Sequence, residues 1–456
     1  MPRASGRASG NTWVGNPQVG HVEVVSGSRF IVRRSLAARH GVDPVNPEVR
    51  RVVTARGLRG FADGFVSVLL VGYLDSLGFS PLQIGTIVTG TLLGSAALTI
   101  MVGLIGHRAR VRTLLLGASV LMFATGVGFA TVSAFLPMLV VAVIGTLNPS
   151  AGDVSVFLPT EQAYLAGHAR APERPRLYAV YNLAGAMAGA FGALLSAGPE
   201  VLARTLDRSL ESLQRGGFLL YATVGCIIAL LYWRLPRERA VVGAVVGRPL
   251  GPSRRIVLQL AALFSLDAAA GGLVVQSLVV LWLHLRFGLS AATTGSVFFA
   301  VGLLGALSQL LSARLAARFG LIRTMVFTHL PANLLLIVAA FAPEAWLAVS
   351  LLLVRSLFSQ MDVPARQAFV MGVVTPEERA AAASVTNVPR SLASATTPAL
   401  AGFLLTKSDI GWPLVIAGVA KATYDLLLLA RFRSVVPEEE DLPRRRSSAR
   451  GPRSES

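Results

Sequence analysis

Residues 159–182, PTEQAYLAGHARAPERPRLYAVYN, and residues 364–387, PARQAFVMGVVTPEERAAAASVTN, are two copies of one segment at an offset of 205. Pro159, Gln162, Ala163, Gly167, Glu173, Arg174, Val180 and Asn182 recur as Pro364, Gln367, Ala368, Gly372, Glu378, Arg379, Val385 and Asn387. Eight identities in 24 positions exceed the roughly two that chance allows in so biased a composition, the mark of an internal duplication. At an offset of 210, Gly78, Ser80, Gly85 and Arg108 find Gly288, Ser290, Gly295 and Arg318.

The surroundings of these segments set the solvent. Of 456 residues, 53% are hydrophobic and 14% charged, against roughly a quarter charged in soluble domains. The apolar residues come in long blocks with the charges between them. Hydrocarbon is spanned by about 20 apolar residues at about 1.5 Å rise each. The blocks predict twelve spans, near 57–77, 81–105, 112–133, 135–158, 176–198, 217–236, 256–283, 290–313, 321–341, 345–371, 380–405 and 411–433. The expected organisation is a disordered basic tail over 1–56 and a six-helix bundle over 57–236. A linker over 237–255, a second bundle over 256–433 and a disordered tail over 434–456 complete it. Two halves with equal span number and like orientation place a site between them near the bilayer midplane, where one half can rock against the other.

The net charge of +18 suggests nucleic acid, but the positions of the arginines exclude it. They cluster in the N-terminal tail, after spans 2, 4 and 8, and in the linker, while most alternate loops are nearly neutral. The positive-inside rule puts both termini and the linker in the cytoplasm. Residues 199–216, with three bases and three acids, predict a short external amphipathic helix. Lys407 and Lys421 are the only lysines. That bias points to a bacterial cytoplasmic membrane, with the basic tail held near anionic lipid. The tail shows no short apolar core with a cleavage site. The single cysteine, Cys226, excludes an internal disulfide and reads as a small core residue. Six histidines lack metal-ligand spacing, and neither lysine follows a glycine, so no phosphate-binding loop is expected. Neither metal nor cofactor is implied.

With this architecture, residues 57–433 resemble the major facilitator superfamily. That family's loop after spans 2 and 8 reads roughly G-x-L-A-D-R-x-G-R-K. Its counterparts here run Gly103-Leu104-Ile105-Gly106-His107-Arg108 and Ala313-Arg314-Leu315-Ala316-Ala317-Arg318-Phe319-Gly320. The arginine is kept twice, and the acid is replaced by His107 and Ala317. The span 4 arginine that partners this acid in the family matches Asn148, so both members of that pair are absent together. The span 5 Gly-Pro signature of antiporters lacks its proline. Gly185, Gly189 and Gly192 still provide a seam of small residues. The resemblance implies a twelve-helix all-α membrane protein that moves a small molecule by alternating access.

Charge inside a bilayer costs about 3 kcal/mol per side chain on insertion scales, so each instance needs a reason. Arg59 and Asp63 are four apart in span 1. They are either an ion pair or a gate arginine beside a proton acceptor. Asp267 in span 7 has no base on its own helix within a turn and reads, with Asp63, as a proton-coupling residue. Arg355, Ser359, Asp362 and Arg366 form one stripe of span 10. A buried arginine must meet an acid or an anionic solute. Arg355 is therefore a substrate residue with Asp267 as its alternative partner. Asp362 and Arg366, with Arg108 and Arg318, belong to a cytoplasmic gate. Gln276, Arg390 and the repeat-equivalent Asn182 and Asn387 complete the substrate candidates, the asparagines having helix–helix hydrogen bonding as the blander role. Lys421 and Asp425 read as a neutralised pair on span 12. Pro149, Pro331, Pro389 and Pro398 could bend their spans.

The sequence thus points to a monomeric secondary transporter of a small organic solute, proton-linked and not an enzyme. Efflux of apolar compounds is one alternative. The other is a non-transporting sensor or accessory subunit using the basic tail. Deleting residues 1–50 separates the classes: a transporter keeps its flux, and a sensor loses its partner.

Overall fold

The computed structural model describes residues 46–105, 109–150, 155–168, 174–236, 250–408 and 410–435. The tail up to residue 45, most of the linker, Arg108 and residues beyond 435 lie outside them. The elements are α1 (Pro47–Ser76), α2 (Pro81–Ile105), α3 (Val111–Thr131), α4 (Phe135–Ile144), α5 (Phe157–Gly167) and α6 (Arg174–Leu195). There follow α7 (Gly198–Leu206), α8 (Leu210–Trp233), α9 (Arg254–Leu273), α10 (Gln276–Phe287), α11 (Ala291–Phe319) and α12 (Leu321–Ala340). The last are α13 (Ala345–Ser359), α14 (Asp362–Gly372), α15 (Arg379–Thr396), α16 (Pro398–Lys407) and α17 (Trp412–Phe432). Every element except a one-turn 3₁₀ segment, Pro376–Glu378, is α-helical. Hydrocarbon offers no water to backbone N–H and C=O groups, and a helix satisfies them within one segment.

Ten stretches among the described residues are long and apolar enough to cross a membrane. Passes 4 and 11 of the predicted twelve are each split into two short helices. Pass 4 ends α4 at Gly145 and resumes at Phe157. Thr146 N–H bonds Thr125 Oγ1 at 3.1 Å within the interruption. Asn148, also there, is buried and accepts from the Ser150 hydroxyl at 2.7 Å. Pass 11 divides at Thr397, where Pro398 opens α16. Pass 7 divides between α9 and α10, and pass 10 between α13 and α14. Pro331 and Pro389 lie inside continuous helices. Of the four span prolines, only Pro149 and Pro398 coincide with interruptions.

The first helix starts at Pro47, ten residues before the apolar run. Asn46 Oδ1 accepts Glu48 N–H at 3.0 Å and caps it. Glu48 in turn takes the Tyr164 hydroxyl at 2.8 Å. A truncation that leaves the bundle intact therefore ends at residue 45. The predicted short helix after pass 5 is α7. Its Val201, Leu202 and Leu206 are exposed, beside Arg204. Cys226 departs from expectation: it is exposed on α8 and not in the core. Large apolar side chains such as Leu104, Leu136, Leu230 and Trp346 also point outward. That is the surface a bilayer rewards.

Glycines set how closely the passes approach. Gly60 and Gly64 of α1 lie against Gly185 and Gly189 of α6. A Cβ on Gly64 would sit 2.0 Å from the Gly189 carbonyl oxygen. In the second half Gly272 of α9 meets Ser394 of α15, where a Cβ on Gly272 would sit 2.2 Å from the Ser394 carbonyl oxygen. Small residues allow such backbone contact, which replaces hydrophobic driving force inside lipid.

The halves join through pass 2 against pass 11 and pass 5 against pass 8. Their closest points are Gly85 on Pro398 and Gly402, and Gly295 on Ala193. Hydrogen bonds between halves among the described residues lie at the same end or near the middle. Thr89 Oγ1 accepts Ala399 N–H at 2.8 Å, and Glu200 accepts Ala292 N–H at 3.2 Å. Gln276 Nε2 donates to Ser67 Oγ at 2.8 Å. The closed end is the one opposite the arginine-rich loops.

Gly64→Val should force α1 from α6 and lower the melting temperature of purified protein, overpacking costing about 1–3 kcal/mol. Gly117→Val is the control, since nothing lies within 4 Å of its Cβ position.

Candidate functional site

Two buried charge clusters sit inside the bundles, one in each half. In the first, Arg59 of α1 binds Glu161 of α5 in a bidentate fork, Nη1 to Oε1 and Nη2 to Oε2, both at 2.7 Å. Tyr181 of α6 and Tyr232 of α8 donate their hydroxyls to the same carboxylate. The Arg59 guanidinium also lies 4.5 Å from the Phe157 ring centroid. One ion pair with two neutral donors ties four passes together. Planar, bidentate geometry is what allows a buried pair to offset its desolvation.

In the second cluster, Asp267 of α9 accepts Lys421 Nζ of α17 at 2.6 Å and Arg366 Nη1 of α14 at 3.2 Å. Arg366 Nη1 also reaches Asp362 at 3.4 Å. His329 of α12 presents Nε2 to Asp267 at 3.9 Å and Nδ1 to Asp425 of α17 at 3.0 Å. Asn333 donates to the other Asp425 oxygen at 2.9 Å.

The clusters occupy equivalent places in the duplication with their signs exchanged. Glu161 and Arg366 are 205 apart, the offset of the repeated segment. Arg59 and Asp267 are 208 apart, as are Gly64 and Gly272, which make the matching close contacts. An acid on pass 4 has become a base on pass 10, and a base on pass 1 an acid on pass 7.

Several expectations are corrected. Asp267 is not a lone carboxylate, because passes 10 and 12 bring two cations to it. Its cations are Lys421 and Arg366 and not Arg355. Lys421 does not pair with Asp425; it reaches across to Asp267, while Asp425 turns to His329. Arg59 pairs with Glu161 and not Asp63; the fork to Glu161, on another pass of the same bundle, makes two bonds. The stripe from Arg355 to Arg366 is interrupted between α13 and α14. In this arrangement Arg59 bonds Glu161, and Arg366 bonds Asp267 and Asp362, each within its own half. Arg318 is exposed and lies over the Phe319 ring.

Asp63 is buried, and among the described residues no cation comes within 4.0 Å of it. Arg355 is half-buried, with no ion pair within the same distance among the described residues. Its Nε has no hydrogen-bond partner. Gln276 bridges the halves through Ser67. Asn182 and Asn387 are both exposed, at matching depths on α6 and α15. A cleft in the second half is lined by Phe264, Arg366, Gln367, Thr386, Asn387 and Arg390. It brings two arginines and two amides to one polar surface. The sequence reading missed Glu161, His329, Tyr181 and Tyr232. Glu161 had a signal: it sits in the repeated segment at the position of Arg366, but counting identities discards a charge reversal.

Glu161→Gln and Arg59→Met should each destabilise the protein by about 3–5 kcal/mol, the cost of stranding a buried charge. The double variant Arg59→Met/Glu161→Leu should lose much less than the sum in thermal unfolding of the detergent-purified protein.

Comparison with known proteins agrees with this architecture. The Major Facilitator Superfamily profile matches residues 52–355 and 260–455. An uncharacterized membrane protein of Saccharomyces cerevisiae is 24% identical over 415 residues, covering 83% of this chain and 92% of its own. The D-xylose–proton symporter superposes with a TM-score of 0.65 at 16% identity, over 86% of this chain and 98% of that one. A nucleoside transporter gives 0.62 at 14%, over 85% and 99%. The human organic anion transporter gives 0.59 at 18%, over 83% and 99%. The chain belongs to the major facilitator superfamily, whose members are membrane transporters and not enzymes.

Proposed function

We propose that this secondary transporter carries a small organic anion by alternating access, with proton movement coupled through Asp63. The observation that carries the proton link is a carboxylate buried in pass 1 with no cation within 4.0 Å among the described residues. Intramembrane acids without a fixed partner are characteristic of proton relays. The expectation that Asp267 shares this role gives way, since Lys421 and Arg366 hold it as a fixed charge.

The anion follows from Arg355. Its guanidinium is half-buried, carries an unbonded Nε and meets no carboxylate within 4.0 Å among the described residues. A cation in that setting is best satisfied by a ligand's carboxylate or phosphate. Gln276, Arg390, Asn182 and Asn387 supply further polar contacts along the region between the halves. The similarity to an organic anion transporter accords with this class, although at that identity it speaks for the fold alone.

Alternating access is supported by the one-sided junction. The halves touch at the end away from the arginine-rich loops. With those loops, the linker and both tails in the cytoplasm by the positive-inside rule, the arrangement is closed outside and open inward. The yeast relative leaves a bacterial cytoplasmic membrane without preference over a eukaryotic one. A monomer suffices, because both halves of the path lie in one chain.

The test uses purified protein in liposomes with a trapped pH dye and a panel of organic acids, sugars, amino acids and drugs. One anionic solute should trigger a pH change. Asp63→Asn should abolish that change while leaving exchange of labelled for unlabelled solute intact. Arg355→Gln should weaken anionic members of the panel by about 10–100-fold, the worth of a charge-assisted hydrogen bond, and spare neutral ones. Silence across the panel in both assays would favour the sensor reading.

A further inference from the structure

We infer that α7 is seated in the outer interfacial layer of the bilayer, and that this lipid seat holds the outward end shut through Glu200. Only the orientation of the chain is needed for this; neither the solute nor the proton assigned above enters.

The nine residues of α7 present two faces. At about 3.6 residues per turn, Val201, Leu202 and Leu206 share one stripe, and Pro199, Glu200 and Ala203 the opposite one. The first stripe is exposed, while Pro199 is buried. Membrane passes enter α7 from both sides, since α6 ends at Leu195 and α8 starts at Leu210. Leu195 and Leu210 are exposed as well, so the stripe continues the outward apolar surface of those passes. The whole run Arg176–Leu206 is apolar enough to count as one membrane-crossing stretch. Arg204 and Arg208 are exposed beside the stripe and suit the phosphates of lipid headgroups. A second copy of the chain fits poorly. Three side chains fall far short of the roughly 800 Å² per partner that a stable interface buries.

The opposite stripe reaches the other half. Glu200 Oε2 accepts the Ala292 N–H at 3.2 Å. Ala292 lies in the first turn of α11, where N–H groups have no partner within the helix. Ser290 Oγ takes the Thr293 N–H at 3.2 Å. One end of α11 is thus capped jointly by its own serine and by a carboxylate of the first half. The charge of Glu200 also suits the positive end of the helix. Arg204 Nη2 holds the other Glu200 oxygen at 2.6 Å. One turn further along α11, Gly295 lies against the corner between α6 and α7. A Cβ there would sit 2.5 Å from the Ala193 carbonyl oxygen and 2.9 Å from Ser196 Oγ. Opening the outward end draws α11 off this corner and breaks the Glu200 bond. A tilt of α7 out of the interface carries Glu200 away from α11. Lipid that keeps α7 in place therefore favours the shut arrangement, and loss of the apolar stripe favours the open one.

The test needs no solute. The full chain with Cys226→Ser receives one new cysteine at a time, Val201→Cys, Leu202→Cys or Leu206→Cys. Each is tagged with a nitroxide in vesicles of phosphatidylcholine and phosphatidylglycerol. Strong relaxation by oxygen and weak relaxation by a water-soluble nickel chelate at all three sites is the expected result. Strong relaxation by the chelate would put the stripe in water, and shielding from both agents would put protein over it. Either outcome overturns the lipid seat. The hold on the outward end is read with Ser196→Cys, a buried position at the corner, and a polar maleimide. Glu200→Ala should speed labelling by about tenfold or more, the worth of a charge-assisted hydrogen bond. Val201→Ser/Leu202→Ser/Leu206→Ser, which alters exposed side chains only, should speed it in the same direction. If Ser196→Cys does not fold, nitroxides on the exposed Leu136→Cys and Leu285→Cys report the same opening as a longer distance between halves. Labelling and distance unchanged in the triple variant would overturn the link from lipid to closure.

Discussion

A charge that cannot reach water must find its opposite within the protein, and the packing of both bundles turns on that requirement. Arg59 and Glu161 sit where passes 1, 4, 5 and 6 meet. Asp267 and its partners sit where passes 7, 9, 10 and 12 meet. Exchanging the sign of both members leaves the attraction unchanged. The duplicated halves could therefore diverge to opposite charge arrangements while keeping one geometry. What surrounds each pair is not equivalent. Tyrosine hydroxyls, which are neutral, complete the first cluster. Lysine, histidine and two further aspartates complete the second. The first half is thus braced by one pair, and the second by a wider network of charged groups.

The junction between halves obeys a different constraint. Gly85, Gly402 and Gly295 let main chains approach until any side chain would collide. Main-chain donors from Ala399 and Ala292 then bond across to Thr89 and Glu200. Such contacts are dense at one end and absent among the described residues at the other. Each half is held together internally by buried charge and glycine seams. A rigid body rocking on a one-sided seam is the mechanics that alternating access needs. The interruptions at passes 4 and 7 lie close to this seam. Ser277 N–H of α10 bonds the Pro149 carbonyl at 3.3 Å, so freed backbone groups of one half are satisfied by the other.

The amino-acid order by itself determined the solvent, the fold class and the duplication. Apolar blocks, arginine-rich loops and the repeat from Pro159 and Pro364 are local or periodic properties, and they survive without knowledge of contacts. So do Gly185 and Gly189, because small residues at helical spacing mark a close approach wherever the partner helix lies. Tertiary structure alone decided which charges meet. Arg59 had Asp63 one turn away, and Lys421 had Asp425. Each nonetheless bonds a residue more than a hundred positions distant, since a partner on another pass offers an aligned, buried carboxylate. Asp63 and Arg355 stand apart for the same reason: their obvious neighbours are already taken. Sequence spacing lists the partners a helix offers itself, whereas the partners that neighbouring helices offer follow from how the passes are packed.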